Sequence, residues 1–183
     1  QIRSSAASDV YKRQVIKGAG PGFSAGHDLK EMQNRKNEVF FRNFFEQCST
    51  LMQSIIKLPQ PVIAQIHGTA AAAGCQLVAT CDLAIASTTA KFATPGVNIG
   101  LFCSTPMVAV SRKLPRKKMM EMLLMGDLVD AETALEFGLI NRVVPYKQLE
   151  ETVSNYVNKI REKSPLVLKI GKEAFYNLSL IHI

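Results

Sequence analysis

Between residues 41 and 56 the apolar positions fall three and four apart. Phe41, Phe44, Phe45, Cys48, Leu51, Met52, Ile55 and Ile56 therefore share one face of a helix, which the spacing predicts to pack on the core and to end before Pro59 and Pro61. Residues 62–66 form a short apolar run suited to a buried strand, and His67-Gly68 turns the chain into a run of small residues at 69–74. Residues 76–81 fit a helix and 82–86 a further short strand, after which 92–96 read as loop. Upstream, 15–17 read as the end of a strand running into the turn-rich segment 18–22. Helices are expected near 105–112, 116–125, 130–137 and 149–163, with Asp130 as an N-cap and Gly138 as a stop. Strands alternating with helices, with helix content rising toward the C-terminus, predict an α/β fold; no fixed-period repeat is visible.

Composition narrows the class. A chain of 183 residues, 47% hydrophobic and 20% charged, has the makeup of one globular domain able to bury its own core. The longest apolar stretch, near 70–79, is broken by Gly74 and Gln76 and falls short of the roughly 18 residues that span a bilayer. The net charge of +7 includes one sharp cluster, Arg112, Lys113, Arg116, Lys117 and Lys118. It has no interleaved aromatics, which favours a solvated helix face over a nucleic-acid surface. Cys48, Cys75, Cys81 and Cys103 form no C-x-x-C pair and sit among small or apolar residues, the pattern of buried thiols in a reducing compartment and not of a disulfide frame or a metal site. The ends read differently: residues 1–14 and 178–183 resemble translated adapter sequence and are expected to be non-native, leaving 15–177 as a partial domain. The leader has no apolar stretch of the kind a secretion signal carries, so the expected location is the cytoplasm for a bacterial source; a eukaryotic one allows the mitochondrial matrix.

Chemistry points to two small-residue loops, 23–28 and 70–75. Glycine and alanine there let a ligand approach the backbone, and a helix is expected after each loop. Unpaired N–H groups at a helix start carry partial positive charge suited to a developing oxyanion. The spacing alone also fits tight helix-on-sheet packing. Gly18-x-Gly20 lacks the third glycine of a dinucleotide fingerprint, and no phosphate-loop lysine follows.

Four segments in order, FSAGHDL, PQPVIAQIHGTAAAAGCQLVATCDLAIAS, FATPGVNIGL and EMLLMGDLVDAETALEFGLINRVVP, closely resemble the enoyl-CoA hydratase/isomerase (crotonase) superfamily, in character its type-3 domain-containing branch. The resemblance covers about residues 15–177. It implies a spiral of repeated ββα units with C-terminal helices, here truncated at both ends, a homotrimer or dimer of trimers, and an acyl-CoA thioester substrate. No separate cofactor is implied, since coenzyme A enters with the substrate. The shared mechanism implies that two backbone N–H groups hold a thioester enolate, which map to His27 and Ala73, with Gly74 the neighbour if the register shifts by one. Ala25, Lys30 and Cys103 fall at substrate-binding positions; Lys30 reads equally as a CoA phosphate contact or a solvated lysine.

Two departures argue against ordinary hydration. The resemblance implies glutamates that activate water and deliver the α-proton, and here Gln76 and Gly96 stand in their places. A carboxamide can orient water but cannot take its proton. The expectation is therefore an enolate-stabilising acyl-CoA enzyme of the lyase or isomerase type. The alternatives are a noncatalytic acyl-CoA binder and a methylmalonyl-CoA-decarboxylase-like enzyme, in which His27 would help position a substrate carboxylate. Asp28 follows His27, and Asp82 is expected to be a structural hydrogen-bonding residue. His67 reads as a loop or core histidine, Cys103 as a buried structural thiol, and Asn98 and Ser104 as candidates for contact with a polar substrate tail. A nucleic-acid role for the basic cluster carries little weight.

Overall fold

The computed structural model describes residues 2–4, 14–35 and 37–179. Its frame is a sheet of β1 (Ile2–Ser4), β2 (Gln14–Gly18), β3 (Val62–Ile66), β5 (Leu83–Ser87) and β8 (Arg142–Val144), in the order β1-β2-β3-β5-β8. All neighbours in it are parallel except β1, which pairs antiparallel with β2. A smaller sheet holds β4 (Ala70–Ala71), β6 (Lys91–Ala93) and β7 (Val129–Asp130) in the order β4-β6-β7, and Ser24 bridges to Ala70 at its edge.

The two sheets reveal the repeat that the residues hide. One turn runs from β2 through the Ser24 bridge to α1 (Leu29–Asn34) and α2 (Glu38–Lys57). The next runs from β3 through β4 to α3 (Ala73–Thr80), and the third from β5 through β6 to a 3-10 turn (Pro95–Ile99) and α4 (Ser104–Val110). Each turn gives one strand to each sheet and then a helix, the ββα spiral expected of the crotonase resemblance. The turns differ in length, which is why no period appears in the sequence. After α5 (Arg116–Met125), β7 closes the small sheet; after α6 (Ala131–Glu136), β8 closes the large one; α7 (Leu149–Arg161) and α8 (Pro165–Ser179) complete the described chain.

Successive strand residues point to opposite faces, and both faces of the large sheet are covered. Val62, Ala64 and Ile66 pack with α2 and α3 in the main core, while Val15, Ile63 and Ile85 meet Leu149, Val153 and Val157 of α7. This explains why β3 is buried at every position. Gln65 is buried among these apolar neighbours because its amide donates to Glu150 at 2.8 Å.

Most expected elements are present, with three corrections. The 92–96 segment is not all loop, since Lys91–Ala93 is a strand paired to β4 and β7; three residues carry too little alternation to announce it. The short strand β8 and the helix α8 were likewise not among the predicted elements. The α2 stripe does not face one core along its length: Met52 and Ile55 are buried, but Leu51 and Phe45 are exposed.

Asp130 caps α6, as expected, accepting the Thr133 N–H at 2.8 Å. Hydrogen bonds from the Thr133 side chain and backbone hold its carboxyl below the usual range. A depressed carboxylate contributes stability above its unfolded-state value and loses it as pH falls. Asp130→Ala is expected to lower the thermal midpoint at pH 7, and the difference from the parent to shrink as pH is lowered through the carboxylate range, as followed by calorimetry.

Asp82 anchors the C-terminal helix. Its carboxylate accepts from the Val62 N–H at 2.7 Å, the Lys172 ammonium at 2.7 Å and the Tyr176 hydroxyl at 2.8 Å. Lys172 also donates to the carbonyls of Ile55 and Gln60, each at 3.0 Å. The structural role expected of Asp82 is present, and its helical partners lie some 90 residues further along the chain.

Candidate functional site

The two small-residue loops meet at Gly26. Ser24 pairs with the second loop: its carbonyl accepts the Ala71 N–H at 2.8 Å, and its own N–H donates to Thr69 at 3.1 Å. Gly26 then adopts φ +94°, a conformation that disfavours any side chain. A Cβ placed there would lie 3.0 Å from the Ala72 Cβ, 3.1 Å from the Ala73 nitrogen and 3.2 Å from the Ala71 oxygen. Only the missing side chain lets the first loop approach the 71–73 backbone this closely.

Ala72 is the second special position. It is the one non-glycine residue with positive φ among the described residues, at φ 50° and ψ −118°, and it stands as the N-cap of α3. Its N–H is held by the Ala93 carbonyl at 3.0 Å, and the helix ladder begins with the Gln76 N–H on the Ala72 carbonyl. Ala73 is thus a first-turn residue whose N–H has no helical acceptor. Among the described residues, no acceptor binds the N–H of His27 or Ala73. Backbone strain at a helix start facing a glycine-built contact is a feature that recurs at functional sites. Gly74, the alternative register, instead packs against the Ser24 backbone, with no space for a side chain.

The remaining candidates distribute as follows. The His27 ring packs edge-on against Phe44 at 4.7 Å and Phe45 at 5.9 Å, so α2 holds the first loop. Burial lowers its pKa from the ordinary histidine value. Asp28 caps α1, accepting the Lys30 N–H at 2.8 Å, and Lys30 itself is exposed on the first turn, as is Ala25 on the loop. His67 is a loop residue whose Nε2 lies 2.9 Å from the Gly20 carbonyl. Asn98 does not reach for a ligand: its amide donates to the Gly126 carbonyl at 3.2 Å. Ser104 begins α4 on the surface.

Gln76 is buried on α3, and its side-chain oxygen has no partner. The buried Thr94 hydroxyl, which the sequence did not single out, is also unpartnered. Gly96 follows in the 3-10 turn, donating its N–H to the Cys103 Sγ at 3.3 Å. A Cβ at Gly96 would stand 2.9 Å from both that sulfur and the Leu101 oxygen. The Cys103 thiol thus fills the space a side chain at 96 would need. Cys75 lies beside it, and burial followed by the neighbouring Cys103 pushes the Cys75 thiol up to about 12. All four cysteines are free thiols, with Cys48 half-buried and the others buried.

Overpacking a tight site costs about 1–3 kcal/mol. Gly96→Ala is expected to lose stability in that range by urea unfolding, and Gly96→Ala/Cys103→Ala to recover part of the loss. A Gly96→Ala variant as stable as the parent would show that the thiol yields freely.

The sequence matches the enoyl-CoA hydratase/isomerase family over residues 5–179. The chain belongs to this family. Among its relatives, the rat and human proteins named enoyl-CoA hydratase domain-containing protein 3, mitochondrial, are each 47% identical over 175 residues, 96% of this chain and 58% of theirs. The short-chain-enoyl-CoA hydratase of Clostridium acetobutylicum is 32% identical across 87% of this chain and 62% of its own. The crystal structure of an enoyl-CoA hydratase from Mycobacterium smegmatis superimposes with a TM-score of 0.91 at 36% identity, covering 96% of this chain and 82% of that one. Human enoyl-CoA hydratase domain-containing protein 3 gives 0.88 at 48% identity, covering 91% and 66%. The spiral is therefore the family's fold. This hydratase/isomerase family chain spans less than two thirds of the curated relatives it matches.

Proposed function

We propose that the chain carries the thioester-binding centre of an acyl-CoA-processing enzyme in which the His27 and Ala73 N–H groups hold the thioester oxygen as it gains enolate charge. The observation that supports this reading is the closeness of Gly26, the residue before His27, to the 71–73 backbone at the start of α3, together with His27 and Ala73 N–H groups that have no acceptor among the described residues. Donors fixed in this way need no reorganisation as charge develops, and loss of one costs about 3–4 kcal/mol of barrier in studied enzymes. Coenzyme A would arrive as part of the substrate, and Lys30, exposed on the first turn of α1, would be the cation to meet its phosphates. By analogy with relatives, the whole protein would assemble as a homotrimer or dimer of trimers and, from a eukaryotic source, reside in mitochondria.

The acid–base side of the site favours chemistry that needs no carboxylate. Gln76 cannot take a proton, and Gly96 with Cys103 leaves no room for an acid. Loss of carbon dioxide from a malonyl-type thioester meets this limit. The bond from the α-carbon to the carboxylate breaks, its electron pair passes into the enolate held by the two amides, and the α-carbon takes a proton from water. The His27 ring would offer an N–H to such a carboxylate only by turning from its packing on Phe44 and Phe45. A second reading, an acyl-CoA binder without turnover, is favoured by the same absence of carboxylates.

The test is incubation of the protein with enoyl-, 3-hydroxyacyl- and malonyl-type CoA thioesters, read by mass spectrometry alongside a binding measurement. Loss of carbon dioxide supports the first reading, and saturable binding without product supports the second. Gain of water on an enoyl-CoA would overturn the argument from Gln76 and Gly96, and absence of binding would overturn both readings.

A further inference from the structure

A cavity of about 750 Å3 lies between the α4–α5 pair and the last turns of α8, apart from the loops that meet at Gly26. Its volume falls in the roughly 300–1,000 Å3 range of sites for small organic ligands. Its floor is apolar and adaptable. Met119 and Leu123 are buried there, Met107 is half-buried, and Phe175 stands exposed on the opposite wall. Methionine fills irregular space and accommodates chains of varied shape.

One end of the cavity is cationic. Where α4 turns into α5, the cavity is lined by Arg112, Lys113 and Arg116, the cluster for which the acyl-CoA reading has no use. Arg112 and Arg116 are exposed at the rim. Lys118, on the next turn, has Glu121 at 3.1 Å, whereas none of the three cations at the cavity has an acidic partner among the described residues. Three like charges gathered at the rim of an apolar trough favour a ligand with one anionic head and one alkyl chain.

We propose that this cavity binds a single-chain aliphatic carboxylate, with the chain on Met107, Met119 and Leu123 and the carboxylate between Arg112 and Arg116. An arginine fork matches carboxylate geometry. Each methylene buried on the floor strengthens binding about fourfold, so two more carbons give roughly fifteenfold.

The test is calorimetric titration of the 183-residue chain with octanoate, decanoate and decanol, each below its aggregation threshold. The expected result is one site per chain, decanoate roughly fifteenfold tighter than octanoate, weakening with salt. Arg112→Gln/Arg116→Gln is expected to lose at least fivefold in decanoate affinity with decanol unchanged. Both side chains are exposed, so the circular dichroism and melting of that variant should match the parent. Equal affinity for decanol and decanoate, undiminished decanoate binding by the double variant, or no saturable binding would each overturn the proposal. So would a concentration-dependent dimer in sedimentation that Met120→Glu, on the exposed cavity wall, dissociates, because the trough would then be a seat for a second copy.

Discussion

Lys172→Met is expected to destabilise the chain by about 3–5 kcal/mol, the cost of removing one partner from a buried ion pair. The lysine side chain is 8% exposed and that of Asp82 16%. Without the ammonium, Asp82 keeps the Val62 N–H and the Tyr176 hydroxyl but holds an uncompensated charge, and the carbonyls of Ile55 and Gln60 lose their donor. Methionine keeps much of the apolar stem, so the loss reports charge and hydrogen bonds more than volume. Urea unfolding measures it. Lys172→Met/Asp82→Asn is expected to recover part of the loss, because the orphaned charge is gone while the asparagine oxygen accepts the Val62 N–H and its NH2 can donate to the Tyr176 hydroxyl. A loss below about 1 kcal/mol in the single variant would mean that α8 is not anchored through this pair.

The largest effect on activity is expected from Gly26→Val. At φ +94° a β-branched residue is strained, and its Cβ would meet the Ala72 methyl and the Ala73 nitrogen at 3.0–3.1 Å. Relief requires the loops to part, which moves the His27 and Ala73 amides away from a shared oxygen. Losing one such donor lowers turnover by about 10²–10³-fold, and displacing both should exceed that. The rate of product formation from the thioester identified in the substrate panel measures the loss, with melting as a control for folding. A folded Gly26→Val protein with full turnover would remove this amide pair from the reaction.

The sequence carried the elements with long patterns and missed those made by distant partners. The period of α2 and the apolar run of β3 announced themselves, and Arg116–Met125 has the predicted bounds. Phe92 in β6 is fully buried, yet three residues cannot show alternation; their strand identity comes from β4 and β7. The stripe on α2 was legible, but not which of its positions the core covers. At the site, small residues marked both loops, and the family resemblance suggested which two amides matter. Their approach depends on backbone angles at Gly26 and Ala72, and alanine at 72 gives no hint of positive φ. The partners of Asp82 were hidden for the same reason that β8 was: sequence distance conceals contact.

The thiol lodged beside Gly96 constrains how this site could change over evolutionary time. A carboxylate at 96 would have to enter a space held by the Cys103 sulfur and by the Leu101 carbonyl, which belongs to the main chain and cannot be trimmed by substitution. The order of substitutions then matters. Gly96→Glu arriving first meets a clash, while shrinkage at Cys103 arriving first leaves a void and moves nothing at 101. Either first step is disfavoured alone, so the site behaves as a ratchet, and return to carboxylate chemistry requires coupled changes across the turn.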